Sequence, residues 1–320
     1  MKKLLFILPF FFALTSSADE KSNIKIAVGT FPESVQYKIA EKFKKYVETS
    51  SKLTVELFYG QYFGNETSAL MEVQKNSVQI AVISSGPCDN FDPDVIILDY
   101  PFLFDKYEDV DAKLYGPLGD IILKSLEKAN LKGLAISEEG FRNLTNDIRP
   151  IHSVKDIDGL KIRVMESAFH KEILQCFNAE AIPLGWPIYK QLANHVVDGE
   201  DNPLPVIYNS RLYEVQKYLT LTHHMFSAIL CIANLNWFNT LNATDQLIIL
   251  SSMKKAADWG KTYNREMEKT MLKKLKKTDI IIDENPDIES FKEQVQNLKD
   301  SIFFSDPNLK KLLEDFFKKQ

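Results

Sequence analysis

The chain has 320 residues, 45% of them hydrophobic and 26% charged, enough to bury a substantial core and long enough for two domains. Its formal net charge is −5 and no basic stripe stands out, which argues against nucleic acid as a partner. Three cysteines, Cys88, Cys176 and Cys231, are widely spaced and form no CxxC pair. That excludes a disulfide framework and a zinc knuckle, leaving at most one bridge or, better, three small buried hydrophobes.

The first element is a leader. Lys2 and Lys3 precede the apolar run Leu4–Leu14, and Ser16 and Ala18 supply the small residues of a cleavage site. We read residues 1–18 as a signal peptide removed near Ala18, so the mature chain is expected in the periplasm without membrane insertion. No other stretch approaches the ~20 apolar residues of a membrane helix.

Beyond the leader, short strands alternate with helices. IKIAVGT (24–30) reads as a strand and is followed by the amphipathic ESVQYKIAEKFKKYVETS. LTVELFYG is the next strand; NETSALMEVQKNS follows it, with Asn65 as N-cap. VQIAVISS is nearly continuous in apolar character, as in a sheet covered on both faces. LKGLAISEE, KIRVME, the helix SAFHKEILQCFNA, EAIPLG, the helix PIYKQLANH, KYLTLTH and AILCIAN continue the series. This order predicts an α/β fold with mostly parallel sheets. No Gly/Ser tether separates two halves, so two domains would have to be intertwined. From Thr244 to about Lys277 the chain lacks proline, and Gly260 is its one weak point. A helix of that length spans about 50 Å, which suggests a strut across two lobes, capped by Thr244.

Enzyme signatures are missing: there is no GxSxG, no GxGxxG or phosphate loop, and no HExxH. DNFDPD (89–94) has acidic spacing but no glycine or closing glutamate, and is expected as a solvated turn. His223 and His224 are adjacent on a strand and so face opposite ways, a poor metal pair. No metal or cofactor is expected. In GLKIRVMES (159–167), Leu160, Ile162 and Val164 alternate with Lys161, Arg163 and Met165. On the strand pattern alone, Arg163 is either a solvated edge residue or a deliberately placed cation.

GFRNLTNDIRPIHSVKDIDGLKIRVMES, IPLGWPIYKQLANHVVDGEDNPL and LYEVQKYLTLTHH together resemble the central block of the solute-binding subunits of TRAP transporters, tripartite periplasmic carriers of organic acids. Weaker similarity covers most of the mature chain. The resemblance implies a two-lobed, type II-like periplasmic binding protein with intertwined lobes, hinge strands and a long helix spanning both. Lobe 1 would comprise 19–139 plus 227–265 and lobe 2 would comprise 140–226 plus 266–320, with hinge crossings near 139–141, near 224–228 and within the long helix. It also implies that Arg163 clamps the ligand carboxylate with two hydrogen bonds, a geometry the planar guanidinium suits and Lys161 would not. Arg142 is similar to the family's second cation at the ligand, with a surface or interlobe salt bridge as its alternative. Asn202 corresponds to a hydrogen-bonding partner of the acid and Trp186 to an aromatic lid. GWPIYKQL runs one residue shorter than the family's usual form. Ser84 and Ser85 stand where sialic-acid-binding relatives have a carboxylate, so a small organic acid is expected rather than sialic acid. The implied function is capture of a small carboxylate and its delivery to a TRAP permease. The rival readings are an exported hydrolase using Glu166 or Asp198 with a histidine, and a ligand-dependent sensor partner using the same cleft.

Overall fold

A computed structural model describes residues 23–60 and 62–317; the leader lies outside them. The chain runs β1 (Asn23–Val28), α1 (Val35–Ser50), β2 (Thr54–Tyr59), α2 (Glu66–Gln74), β3 (Ile80–Ser84), α3 (Tyr107–Lys113), α4 (Pro117–Ser125) and β4 (Leu131–Asn146). It continues through β5 (Lys161–Val164), α5 (Ala168–Cys176), β6 (Glu180–Pro183), α6 (Tyr189–Ala193), β7 (Gly199–Pro203) and α7 (Leu204–Asn209). It ends with β8 (Tyr218–Asn234), α8 (Leu235–Thr240), α9 (Ala243–Leu275), β9 (Ile281–Asp283), α10 (Ile288–Gln294) and α11 (Pro307–Phe317).

The strands are hydrogen-bonded in the order β2-β1-β3-β8-β4-β7-β5-β6, with β9 added beside β8. At the two ends the pairs β1–β2, β1–β3, β5–β6 and β5–β7 are parallel, as strand–helix alternation requires. The centre departs from the expectation of mostly parallel sheets: β4 and β8, the two longest strands, pair antiparallel from end to end. KYLTLTH and AILCIAN, which read as two strands, are one 17-residue strand. These two strands belong to both ends of the sheet. β8 meets β3 through residues 229–233, whereas β4 meets β7 through residues 142–146. Between those zones the β4–β8 register slips at Glu138/Gly140 and again at Arg142/Leu144. Gly140 sits at φ +110°, a conformation a side chain would strain.

Helix α9 ties the ends together. Ile249, Met253, Ala256 and Ala257 pack with Ile39, Phe43 and Val47 of α1 over the first end of the sheet. Met271 and Leu275 pack with Ile188, Leu192 and Ile207 over the other. The strut reading therefore holds, with two corrections. The N-cap is Asn242, whose side chain accepts from Asp245 N, rather than Thr244. Gly260 is not a weak point either. A Cβ there would stand 2.5 Å from Ile39 Cγ1, so glycine lets α1 and α9 approach closely while the helix continues.

A third core covers the opposite face, and the C-terminal segment contributes to it. Phe304 and Phe317 stack edge-on against Tyr100, and Phe291 against Phe177. The three cysteines are unbridged. The 89–94 segment is not a solvated turn: it winds into short 3-10 turns in which Asp92 is buried. Among the described residues no helix is long and apolar enough to cross a membrane, and no group of three or more metal-ligating side chains comes together.

Candidate ligand-binding site

A cavity of about 220 Å³ lies where the two ends of the sheet face each other. It is smaller than the roughly 300–1,000 Å³ of sites for drug-sized ligands. Its walls come from the loop after β1, from the C-terminal ends of β3, β5 and β7, from the middle of β4, and from α9. Two of its lining residues bridge one another, Asn209 Nδ2 donating to the Glu33 carbonyl at 3.4 Å; away from the lining, Asn90 Nδ2 donates to the Glu166 carbonyl at 2.9 Å.

Arg163 answers the question its strand raised. Ile162 and Val164 enter the large core, while Lys161, at the strand's start, is exposed. Arg163 is on an interior strand between β6 and β7, only 3% exposed, and lines the cavity. Its Nε donates to the Leu184 carbonyl at 2.8 Å, and among the described residues it has no carboxylate within ion-pair distance. Burial, with Arg142 nearby, pulls its pKa down to about 10. A cation held dry without a counter-ion in a cavity wall has the chemistry to accept an anion.

Arg142 has a different status. Its Nε lies 2.6 Å from Asp201 Oδ2, its Nη2 donates to the Asp201 carbonyl, and both side chains are buried. Burial opposes the Arg142 charge, but Asp201 outweighs it and holds the guanidinium above its usual range. His224 Nε2 stands 3.4 Å from the same carboxylate. Arg142 does form a salt bridge, but a buried one between the adjacent strands β4 and β7 rather than one at the surface or between lobes; the residue also lines the cavity, and its Nη1 is buried without a partner.

Ser84 lines the cavity, but Ser85, next along the chain, does not: its hydroxyl donates to Asp99 Oδ1 at 2.5 Å. Sequence reasoning found no carboxylate at Ser84, and the fold supplies two from elsewhere. The Ser84 hydroxyl lies 3.2 Å from Glu66 Oε1 and 3.3 Å from Glu139 Oε2, while Gln36 and Ser227 donate to the same network. Both glutamates line the cavity. Burial and the neighbouring Glu66 push Glu139 up to about 7, and burial raises Glu66 too. The site thus offers oxygen acceptors, on carboxyls whose protonated form burial favours, together with a guanidinium.

Asn202 lines the cavity and donates to Glu200, whose pKa burial raises to about 7. Trp186 and Tyr189 both face the cavity, so the shortened segment between them keeps both rings in the wall. Glu66, Glu139 and Asn264 were missed. For Asn264 a signal existed: the buried seam of α9 runs through Ala256, Gly260, Asn264, Glu268 and Met271, so two polar residues fall on an apolar stripe. The hydrolase pairings do not form. Asp198 Oδ2 accepts from Lys161 N at 2.8 Å, and the histidine–carboxylate pairs are His152–Asp283, His170–Asp99, His195–Asp147 and His224–Asp201.

Residues 27–306 match the family model of the bacterial extracellular solute-binding proteins, family 7. A solute-binding protein of Verminephrobacter eiseniae is 34% identical over 245 residues, 76% of this chain and 73% of that protein. A TRAP periplasmic solute-binding protein from a Polaromonas species, solved bound to D-erythronate, superposes with a TM-score of 0.87 at 30% identity, covering 92% of this chain and 98% of that one. The sugar acid binding protein DctPAm of Advenella mimigardefordensis, solved with galactonate, gives 0.87 at 27% identity, covering 93% and 98%. The two-lobed fold, the arginine-walled cavity between its halves and the family match over nearly all of the described chain have one reading: the protein belongs to the bacterial extracellular solute-binding proteins of family 7, the solute-binding subunits of TRAP transporters.

Proposed function

We propose that the cavity takes a small hydroxylated carboxylate, with the acid group on Arg163 and the chain hydroxyls among Ser84, Glu66, Glu139 and Asn202, beneath Trp186. The observation that carries this reading is Arg163 itself: buried, facing the cavity and without a counter-ion. Two acidic side chains at Ser84 remove the reason for disfavouring hydroxyl-rich acids, since an alcohol donates to a carboxylate and accepts from a carboxyl proton. D-erythronate and galactonate in the two related structures are acids of this kind.

In the same reading, lobe 1 (19–139 plus 227–265) and lobe 2 (140–226 plus 266–320) close about β4, β8 and α9, and the loaded protein delivers its solute to a TRAP permease. The register slips beside Gly140 support a hinge there. The rest of the C-terminal segment packs on both halves. The leader would be cleaved near Ala18, releasing a periplasmic protein that binds its solute without turning it over. Closure has an energetic reason. One charge-assisted hydrogen bond gives about 1.5–3 kcal/mol net, while micromolar affinity needs about −8 kcal/mol, so groups from both lobes must converge on one ligand.

The test combines native mass spectrometry of the freshly purified protein with calorimetry against D-erythronate and galactonate. A chemically unchanged hydroxy acid should be released on denaturation, and small-angle scattering should show a smaller radius of gyration with that acid than without it. Turnover of the acid, or an unchanged radius at saturation, would sink the reading.

A further inference from the structure

The long helix carries one residue that the protein's own interior leaves unserved. Asn264 is 1% exposed, lies in the cavity wall, and its side chain makes no hydrogen bond to any described residue; Nδ2 is fully buried and partnerless. Asparagine is a poor residue for the middle of a helix and for an apolar seam. Its position in the seam is one that alanine or leucine would occupy better on packing grounds. The two other side chains that α9 lends to the cavity are Tyr263 and Met267, so Asn264 is the one amide on that wall. The opposite wall holds it no closer to satisfaction. Nδ2 lies 3.3 Å from the point where Gly140 would carry a Cβ; the Tyr107 hydroxyl and Glu268 Oε2 stand 3.4 and 3.5 Å from the same point, yet they pair with each other and neither bonds the amide.

We infer that Asn264 is a specificity-determining residue: its amide pairs with a hydroxyl on the carbon chain of the bound acid. This inference rests on the reading of the cavity as a hydroxy-acid site. An amide presents a donor and an acceptor side by side, as an alcohol does, so one hydroxyl can both accept from Nδ2 and donate to Oδ1. A carboxylate would satisfy only the donor, and Arg163 already provides a stronger place for it. An acid lacking the hydroxyl would leave Nδ2 buried and unpaired in the closed protein, and it is this unpaired state that gives strong discrimination against the deoxy analogue.

The experiment is a cycle of calorimetric titrations. Wild type, Asn264→Leu and Asn264→Ser are each titrated with D-erythronate and with its three monodeoxy counterparts, 3,4-dihydroxybutanoate, 2,4-dihydroxybutanoate and 2,3-dihydroxybutanoate. Thermal melts of the unliganded proteins confirm folding. Wild type is expected to bind one deoxy acid at least tenfold more weakly than erythronate. Asn264→Leu should lose tenfold or more for erythronate yet stay within about threefold of wild type for that one deoxy acid. Asn264→Ser, which keeps a hydrogen-bonding group, should recover part of the preference. An equal loss for every acid would make Asn264 a packing residue only, and an unchanged pattern would remove it from the site; either overturns the inference while the hydroxy-acid reading stands. Absence of binding to all four acids by wild type overturns both together.

Discussion

Replacing Arg163 should move binding and stability in opposite directions. The guanidinium is 3% exposed, and burial with Arg142 nearby lowers its pKa from 12.5 to about 10. At about 1.4 kcal/mol per pKa unit, the charged form costs the closed, empty protein on the order of 3 kcal/mol. The sign is that of a base with a depressed pKa: below about pH 9 it is protonated whether folded or unfolded, so the penalty is constant across neutral pH. Arg163→Met removes it while keeping the stem's volume, at the loss of the Nε hydrogen bond to the Leu184 carbonyl, about 1–2 kcal/mol. The closed, unliganded form of the variant should therefore be about 1–2 kcal/mol more stable than that of wild type, and in urea titrations at pH 7 the unliganded variant should be at least as stable as wild type. Binding of the natural acid should fall more than a hundredfold by calorimetry. Arg163→Lys should fail nearly as badly, since it keeps the charge but loses the fork. Arg163→Lys binding within threefold of wild type, or Arg163→Met clearly destabilised without ligand, would refute the account of Arg163 as an unpaired receptor.

Arg142 should behave the other way. Arg142→Met strands Asp201 in the interior, so it should lower stability by about 3–5 kcal/mol, a fall in Tm on the order of 10 °C by scanning calorimetry, and Asp201→Leu added to it should restore much of the loss. Glu268, buried on α9 and hydrogen-bonded by the Tyr107 hydroxyl, is pushed up to about 7 by burial, with Lys269 opposing weakly. Its stabilising protonated form is fully present below about pH 4.5 and lost as pH rises through 7, so the difference in unfolding free energy between Glu268→Gln and wild type should grow by on the order of 3 kcal/mol from pH 5 to 8. Thiol titration in denaturant without reductant should count three free cysteines, and a count of one would reveal a bridge.

Elements with a strong local period were readable in the sequence. The β1–β3 strands, α1 and the strut follow from alternation of two or 3.6, and Asn65 caps α2 as its chemistry suggests, accepting from Ser68 N at 2.8 Å. Local signals failed where two candidates compete within a few residues. Asn242 and Thr244 are both cap formers, and the stronger one, two positions earlier, begins the helix. Ser84 and Ser85 are chemically alike, yet Ser84 ends β3 while Ser85, with helical backbone, turns into the following 3-10 turn, so one reaches the cavity and the other Asp99. The acidic end of the site was invisible for a different reason. Glu66 opens a helix and Glu139 sits in the middle of a strand, 73 positions apart, and only the packing of α2 beside β3, with β8 and then β4 next in the sheet, brings both to one serine.

The two arginines show how partner geometry, rather than residue type, decides a role, and they lead to a statement about motion. Arg142 has its counter-ion in either state of the lobes, because Asp201 lies on β7, paired directly with β4. Arg163 depends on the cavity around it. In the proposed reading its head would be hydrated with the lobes apart, and with them closed and empty it is the dry, unpaired cation described here. A penalty on the order of 3 kcal/mol lowers the population of the closed, empty form by about a hundredfold, and a bound carboxylate removes that penalty. In the proposed reading, closure is then conditional on an anion in the right place. Arg163→Met, freed of the penalty, should close without ligand. Its radius of gyration by small-angle scattering should approach that of the liganded wild type, and a radius matching the unliganded wild type would show that closure is held off by something other than this charge.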